Sequence, residues 1–437
     1  MKAVSVMYKE KKGELKMKKI TVAFLVFLLL FAMAACSNSK SSGTEDAKGN
    51  DSSGKTTIRF ATWDSGETLK IQQLIAKKFE EKNPNVKVQV EAYGDGFDQK
   101  LAAAFGAKNP PDVMYMWNFP AYFQSLEPLD NLIKNDSEMD MNDFYQGLFN
   151  YSSIYGKVYG MPAGFTTRVV YFNKDLFDAA KIPYPKDGWT WDDFKNIAKK
   201  LSDPSKKQYG FGVRPEPDTY DLQGFVWSNG SSFISEDGKK IKGYMNSPET
   251  VQALQKFADM VKDKSAVLVG GKNQQSGDDI FKAGKLAMWE SGIWPLEGFK
   301  EAKVNFGTVE MPSFGSKPVK GVIASSAVSI AKDSKHKDLA WKFVKFYSSA
   351  EAIKMRTADL PVRISVVKEM KTDQDPMIKP FYKMLERSND TPAFLLNKNW
   401  DEINRNLSAA VNAIMLGQDG EQLLNKAVKD SEKYVGQ

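Results

Sequence analysis

The sequence predicts an α/β protein of more than one domain, and three observations carry that expectation. A chain of 437 residues is longer than one ordinary core organises. Between Thr57 and Trp117, β-branched runs alternate with stretches of helical periodicity, the pattern of a mainly parallel sheet flanked by helices. The composition is ordinary for a globular chain, 42% hydrophobic and 26% charged, and a 12% aromatic content leaves rings to spare for a ligand cleft.

In chain order, Lys18-Lys19, the apolar run Ile20 to Met33 and then Ala34-Ala35-Cys36 form the basic, apolar and small-residue parts of a secretory signal. The apolar run is too short to span a bilayer comfortably. Its Ala-Ala-Cys ending looks like a bacterial lipoprotein signal, so residues 1–35 are expected to be removed and Cys36, the one cysteine, to be acylated. Met17 reads as the natural start and residues 1–16 as an extension. Residues 36–55 are almost wholly polar and read as a flexible tether spanning on the order of 25 Å. The net charge of +7 also shrinks without the signal. Residues 1–35 hold seven lysines and two glutamates, so residues 36–437 carry 54 basic against 52 acidic groups, a net +2 that gives nucleic acid no purchase.

Thr57 to Trp63 reads as a strand, and a helix follows with Ile71, Leu74, Ile75 and Phe79 on one face. Asn83-Pro84 stops that helix. Val86, Val88 and Val90 alternate with Lys87, Gln89 and Glu91, as in a strand near a sheet edge. A second helix aligns Phe97, Leu101, Ala104 and Phe105, and Val113 to Trp117 is the third strand. Ligands of such sheets bind beyond the carboxyl ends of the strands. Those ends deliver Trp63-Asp64, Tyr93 with Asp95, and Trp117-Asn118. An aromatic ring can cover the C–H face of a sugar while Asp or Asn binds its hydroxyl fringe, although each ring could instead cap the sheet as core.

The stretch Tyr155 to Phe194 reads as loop, strand, loop and helix. Thr190 and Asp193 mark the helix start, and Phe194, Ile197, Ala198 and Leu201 repeat at helical spacing behind them. Tyr159-Gly160-Met161-Pro162, Tyr171 to Phe177, Ile182 and Thr190 to Phe194 stand in the order of a run found in the extracellular solute-binding proteins of bacterial ABC importers. The chain resembles that family, in its carbohydrate-carrying branch. The resemblance implies a two-lobed periplasmic-binding-protein-like fold, each lobe a mainly parallel sheet flanked by helices, with three crossings between lobes. Residues 56–165 and 322–358 would form the N-terminal lobe, and 166–321 and 359–437 the C-terminal one. It also implies a monomeric receptor that closes on a sugar or oligosaccharide and delivers it to membrane permease subunits. In the family the loop after the first strand contributes to the site, which favours Trp63 and Asp64.

Beyond the crossing, Tyr209 to Val213 reads as a strand, and Ser247-Pro248 opens an amphipathic helix with Val251, Leu254, Phe257, Ala258 and Val261 aligned. Lys285 to Pro295 resembles a family segment that brings a loop into the cleft, which nominates Trp289, Glu290 and Trp294. Trp227 is a further ligand candidate, whereas Trp189 and Trp191 flank the helix cap and read as packing. Val319 to Lys332 is strand-like and returns the chain to the first lobe, with Gly321 as a hinge candidate. Leu360 to Ser365 resembles the third crossing, from which Arg363 could reach the cleft or pair with a hinge carboxylate. The faces carried by Trp400, Ile403, Leu407 and Val411, and by Leu423, Leu424 and Ala427, read as packing against the second lobe.

The one histidine, His336, lies in a polar run, so Ser-His-Asp, Cys-His and His-ligated zinc chemistry find no partners. Walker, GxGxxG and EF-hand patterns are absent, and no catalytic residue, metal or cofactor is expected. Two rival readings stay open: a surface glycoside hydrolase using Asp64 and Glu290, and a receptor for another polar solute such as a sugar phosphate. Few arginines stand in the cleft-forming stretches, which argues against the phosphate.

Overall fold

The computed structural model describes residues 54–215, 221–270 and 275–435, so the signal segment and Cys36 lie outside the described residues. In chain order the strands are β1 (Thr56–Thr62), β2 (Val86–Ala92), β3 (Val113–Met116), β4 (Ser153–Ile154), β5 (Lys157–Val158), β6 (Met161–Thr167), β7 (Val169–Asn173), β8 (Tyr209–Val213), β9 (Ala266–Leu268), β10 (Leu286–Ser291), β11 (Phe306–Val309) and β12 (Ile323–Ile330). One five-stranded sheet has the order β2-β1-β3-β12-β6, the other β11-β7-β10-β8-β9, and β4-β5 is a small hairpin. The chain passes from the first sheet to the second at one residue, Arg168, between β6 and β7.

Both sheets are mixed rather than mainly parallel. β2, β1 and β3 pair in parallel, as do β9, β8 and β10, but β12 and β6, like β7 and β11, join their sheets antiparallel. β12 in the first sheet and β7 in the second run antiparallel to both their neighbours, and these are the strands that enter their sheets directly from the other lobe rather than through a helical crossover. Pairing in the first sheet continues to Thr167, opposite Ile323, two residues beyond the boundary read from the sequence.

The helices that matter for the site are α1 (Gly66–Lys82), α2 (Phe97–Gly106), α3 (Trp191–Lys200), α4 (Gln223–Ser228), α5 (Pro248–Lys262), α6 (Lys337–Tyr347), α7 (Ala350–Met355), α8 (Lys379–Glu386), α9 (Trp400–Met415) and α10 (Gly420–Ser431). Their starts follow from local chemistry. Thr190 and Asp193 form a reciprocal capping box on α3, and the Ser247 side chain accepts from the Thr250 amide at the start of α5, each worth about 1 kcal/mol. Residues 121–134 and 141–151 form only short helical turns, with Pro128 standing between two of them.

α6 and α7 return after β12 to pack on α1, which completes the first lobe, while α9 and α10 pack on α5 in the second. α8 touches both β6 and β7 and so lies across the first crossing, where the Thr167 hydroxyl donates to the Phe381 carbonyl at 2.8 Å. Gly321 sits in the second crossing for space rather than for an unusual φ. A Cβ there would lie 2.5 Å from the Met384 carbonyl oxygen of α8. Trp189 and Trp191 are core. Trp189 Nε1 donates to the Glu310 carbonyl at 2.8 Å, and Trp191 stacks on Phe314 with centroids 5.1 Å apart. Among the described residues no helix is long and apolar enough to cross a membrane.

Candidate functional site

The ends of β1 and β3, the loop after β10, and the strands of the crossings meet around one cleft of about 560 Å³, a mid-range volume for a small-molecule site. From β1 come Trp63 and Asp64, and from β3 Tyr115 and Trp117. Trp63 stacks on Tyr115, centroids 4.1 Å apart and planes 18° from parallel, and meets Phe97 edge-on at 5.4 Å. That packing fixes one ring face and leaves the residue half-buried. Asp64 is locked by a two-residue turn: Thr62 Oγ1 donates to its carboxylate at 3.0 Å and accepts from its amide at 3.1 Å, and Gln72 Nε2 of α1 donates to the same carboxylate oxygen.

From the second lobe the loop after β10 carries Trp294, which is 50% exposed. The loop is tied to the crossing. The Ile293 amide donates to Thr166 Oγ1 at 2.8 Å, and the Tyr171 hydroxyl donates to the Gly292 carbonyl at 2.7 Å. Any Cβ on Gly292 would overlap the Trp294 ring, so glycine lets the indole fold back against its own loop. The Arg168 guanidinium lies 4.6 Å from the centre of that ring, a cation–π contact that orients the indole.

Three arginines border the cleft: Arg168, Arg214 and Arg356. Each has carboxylate partners. Arg168 binds Asp221 at 2.7 Å and Glu290 at 3.2 Å, Arg214 binds Asp221, and Arg356 binds Asp359. With Asp64, these groups total three positive and four negative formal charges, so the site carries no cationic excess. Burial holds the Tyr115 hydroxyl well above its ordinary pKa, which keeps it a neutral hydrogen-bonding group.

The family model for the bacterial extracellular solute-binding proteins matches residues 63–354, more than half of the chain. The chain belongs to that family. This solute-binding protein is 26% identical over 352 residues to the arabinooligosaccharide-binding protein of Bacillus subtilis, with 77% of each chain covered. It superimposes with a TM-score of 0.77, at 26% identity, on an ABC substrate-binding protein of Listeria monocytogenes solved in complex with cycloalternan, covering 87% of this chain and 98% of that one. It also shares its fold with a Mycobacterium tuberculosis protein solved in complex with glycerophosphocholine, at a TM-score of 0.74 and 20% identity, over 86% of this chain and 97% of that one.

Of the residues nominated from its sequence, the structure of the solute-binding protein brings Trp63, Asp64, Trp117 and Trp294 onto the cleft. Glu290 lies beneath, 6% exposed, bound to Arg168. Trp289, its neighbour on β10, is buried with its ring against Gly277 and its Nε1 donating to Asp278 at 2.7 Å. Trp227 is buried in α4, its Nε1 donating to Ser232 at 3.3 Å. Tyr93 donates to Glu91 at 2.9 Å and packs on Phe97, and Asp95 is exposed. Neither borders the cleft, because β2 is the outer strand of its sheet, the one farthest from the crossing strand β6. Asn118 is half-buried at the foot of a short helix, off the cleft lining. Arg363 is turned away as well: it binds Asp143 at 2.9 Å, donates to the Ser348 carbonyl at 2.7 Å and covers the Phe144 ring at 4.3 Å.

Sequence reasoning missed the three arginines, Asp359, Tyr115 and the serines Ser325 and Ser326 of β12, all of which border the cleft. Arg168 had a signal, since it is the one charge in the otherwise uncharged run 158–173, and a charge buried in such a run needs partners. Asp359 and Arg356 had none, because they follow an unremarkable helix and reach the site only through the return of the chain.

Proposed function

We propose that this protein is the extracellular receptor of an ABC importer for a neutral sugar or short oligosaccharide, held between the two lobes and tethered to the membrane through acylated Cys36. One observation carries the reading: aromatic rings on both walls, Trp63 and Trp117 on one and Trp294 on the other, face a cleft whose arginines are already matched by carboxylates. Rings cover the C–H faces of a pyranose or furanose, and Asp64 and Asp359 accept from its hydroxyls. Sugar-binding relatives of the same family support this ligand class. The fold alone does not choose it, since a neighbour of the same fold was solved with a phosphodiester. The charge count supports the neutral sugar. A phosphate would enter a site with four carboxylates and no uncommitted cation in excess, a setting that disfavours a second anion.

Contacts from both lobes favour a closed form, and the population shift is set by the ligand's preference for closed over open. Calorimetry and thermal unfolding against arabinotriose, maltotriose, cellotriose and glucose 6-phosphate test this. Heat, a raised melting temperature and a smaller scattering radius with a neutral saccharide, and none with the phosphate, are expected; at a hundredfold excess over Kd the stabilisation is about 2.7 kcal/mol. Silence from every neutral saccharide, or preference for the phosphate, would sink the reading. A receptor returns its ligand unchanged, so shorter products after long incubation would replace it with the hydrolase.

A further inference from the structure

We infer that Arg356, buried behind the first-lobe wall, is the positioning residue that holds three ligand-facing groups, Trp63, Asp64 and Asp359, in their places. The inference rests on the saccharide reading of the cleft only for its binding readout. Arg356 is 5% exposed, and its guanidinium carbon lies 4.7 Å from the centre of the Tyr115 ring and 4.8 Å from that of Tyr347, in the wedge between two tilted rings.

Three branches leave this wedge. Through Tyr115, which accepts from Arg356 Nη2 and from Ser326 Oγ at 2.5 Å, the guanidinium sets the ring on which Trp63 stacks. Directly, Nη2 pairs with Asp359, whose side chain has room because a Cβ on Gly164 would lie 2.5 Å from its Cγ. Through Tyr347, whose hydroxyl donates to Gln72 Oε1 at 2.6 Å, it sets the amide that in turn donates to Asp64. A planar cation fits a two-ring wedge and a carboxylate at once, which an ammonium does less well.

Stability alone does not explain an arginine here. Its Nε and Nη1 are buried and have no hydrogen-bond partner among the described residues, and unpaired buried donors are costly. An apolar side chain of similar length should fold at least as well, since Asp359 keeps 31% exposure and can turn to water. What it would lose is the fixed geometry of the wall.

The test uses Arg356→Met and Arg356→Lys in the full chain, labelled with 5-fluorotryptophan, with the Trp63 resonance assigned through Trp63→Phe. In Arg356→Met the Trp63 resonance should shift or broaden while those of Trp227 and Trp400, far from the wedge, stay in place, and the melting temperature should hold or rise. Affinity for whichever of arabinotriose, maltotriose or cellotriose the wild type binds should fall at least tenfold, with Arg356→Lys recovering part of it. An unmoved Trp63 resonance, or wild-type affinity in Arg356→Met, overturns the inference. If the wild type binds none of the three, the saccharide reading fails and the resonance alone decides the role of Arg356. If Arg356→Met does not fold, Tyr347→Phe, which keeps the ring and cuts only the branch to Asp64, is read instead: a several-fold loss of affinity is expected, and wild-type affinity counts against the inference.

Discussion

Asp359 reaches the cleft only because residue 164 lacks a side chain. With Cβ in place its own Cβ and Cγ would be met at 2.7 and 2.5 Å, so the carboxylate would have to rotate off the wall. Gly164→Ala should therefore reduce saccharide affinity at least tenfold while lowering the melting temperature by only a few degrees. Calorimetry beside thermal unfolding checks this, and equal affinity with a large loss of stability would show that Gly164 serves the strand alone. At this scale Trp63, Asp64 and Trp294 were legible, since an aromatic next to a polar group at a strand end is a local signal. The exclusion of Trp289 and Glu290 was not. Alternation puts these neighbours on opposite faces of β10, but which face meets a cleft depends on the sheet around them.

Among the elements, position in the sheet order decides which strand tips converge. β1 and β3 stand inside the first sheet and deliver side chains to the site, while β2, read correctly as an edge strand, delivers Tyr93 and Asp95 beyond its reach. The third crossing shows a second kind of control. Its Leu360 bridges to Phe165 of β6, and Arg363 and Ser365 close on Asp143 of the first lobe. Burial by itself would raise the Asp143 carboxyl, but hydrogen bonds from Ser365 and Arg363 outweigh it and hold the group below the ordinary value of 3.8. A carboxylate with a depressed folded pKa stabilises the protein above its unfolded pKa and loses that contribution as pH falls through the folded one. Asp143→Asn should thus cost about 2 kcal/mol at pH 7 in urea unfolding, with the gap closing as pH drops below 3.8. A gap independent of pH would mean that the amide's shape, not the ion pair, accounts for the loss.

Over the whole molecule, the proposed lipid anchor at Cys36 is open to a direct test. Cys36→Ser should release the protein from the membrane fraction into the medium, and a variant that stays with the membrane would remove the lipid from the account. The lobes share an apolar interior that continues through the crossing strands, so the proposed closure would bend at a few residues around Arg168 and the return passages rather than slide one core over another.

The sequence by itself determined the α/β class, the strand and cap positions, the crossing stretch and the aromatic character of the site, because periodicity, capping and turn chemistry act over a few neighbouring residues. Only the tertiary structure decided the mixed order of the sheets, the burial of Trp289 and Glu290, and the convergence of Arg168, Arg214, Arg356 and Asp359 on one cleft. Those depend on contacts between residues far apart in the chain, such as Tyr115 with Arg356, 241 positions away, and no local pattern encodes which distant partner a buried charge will find.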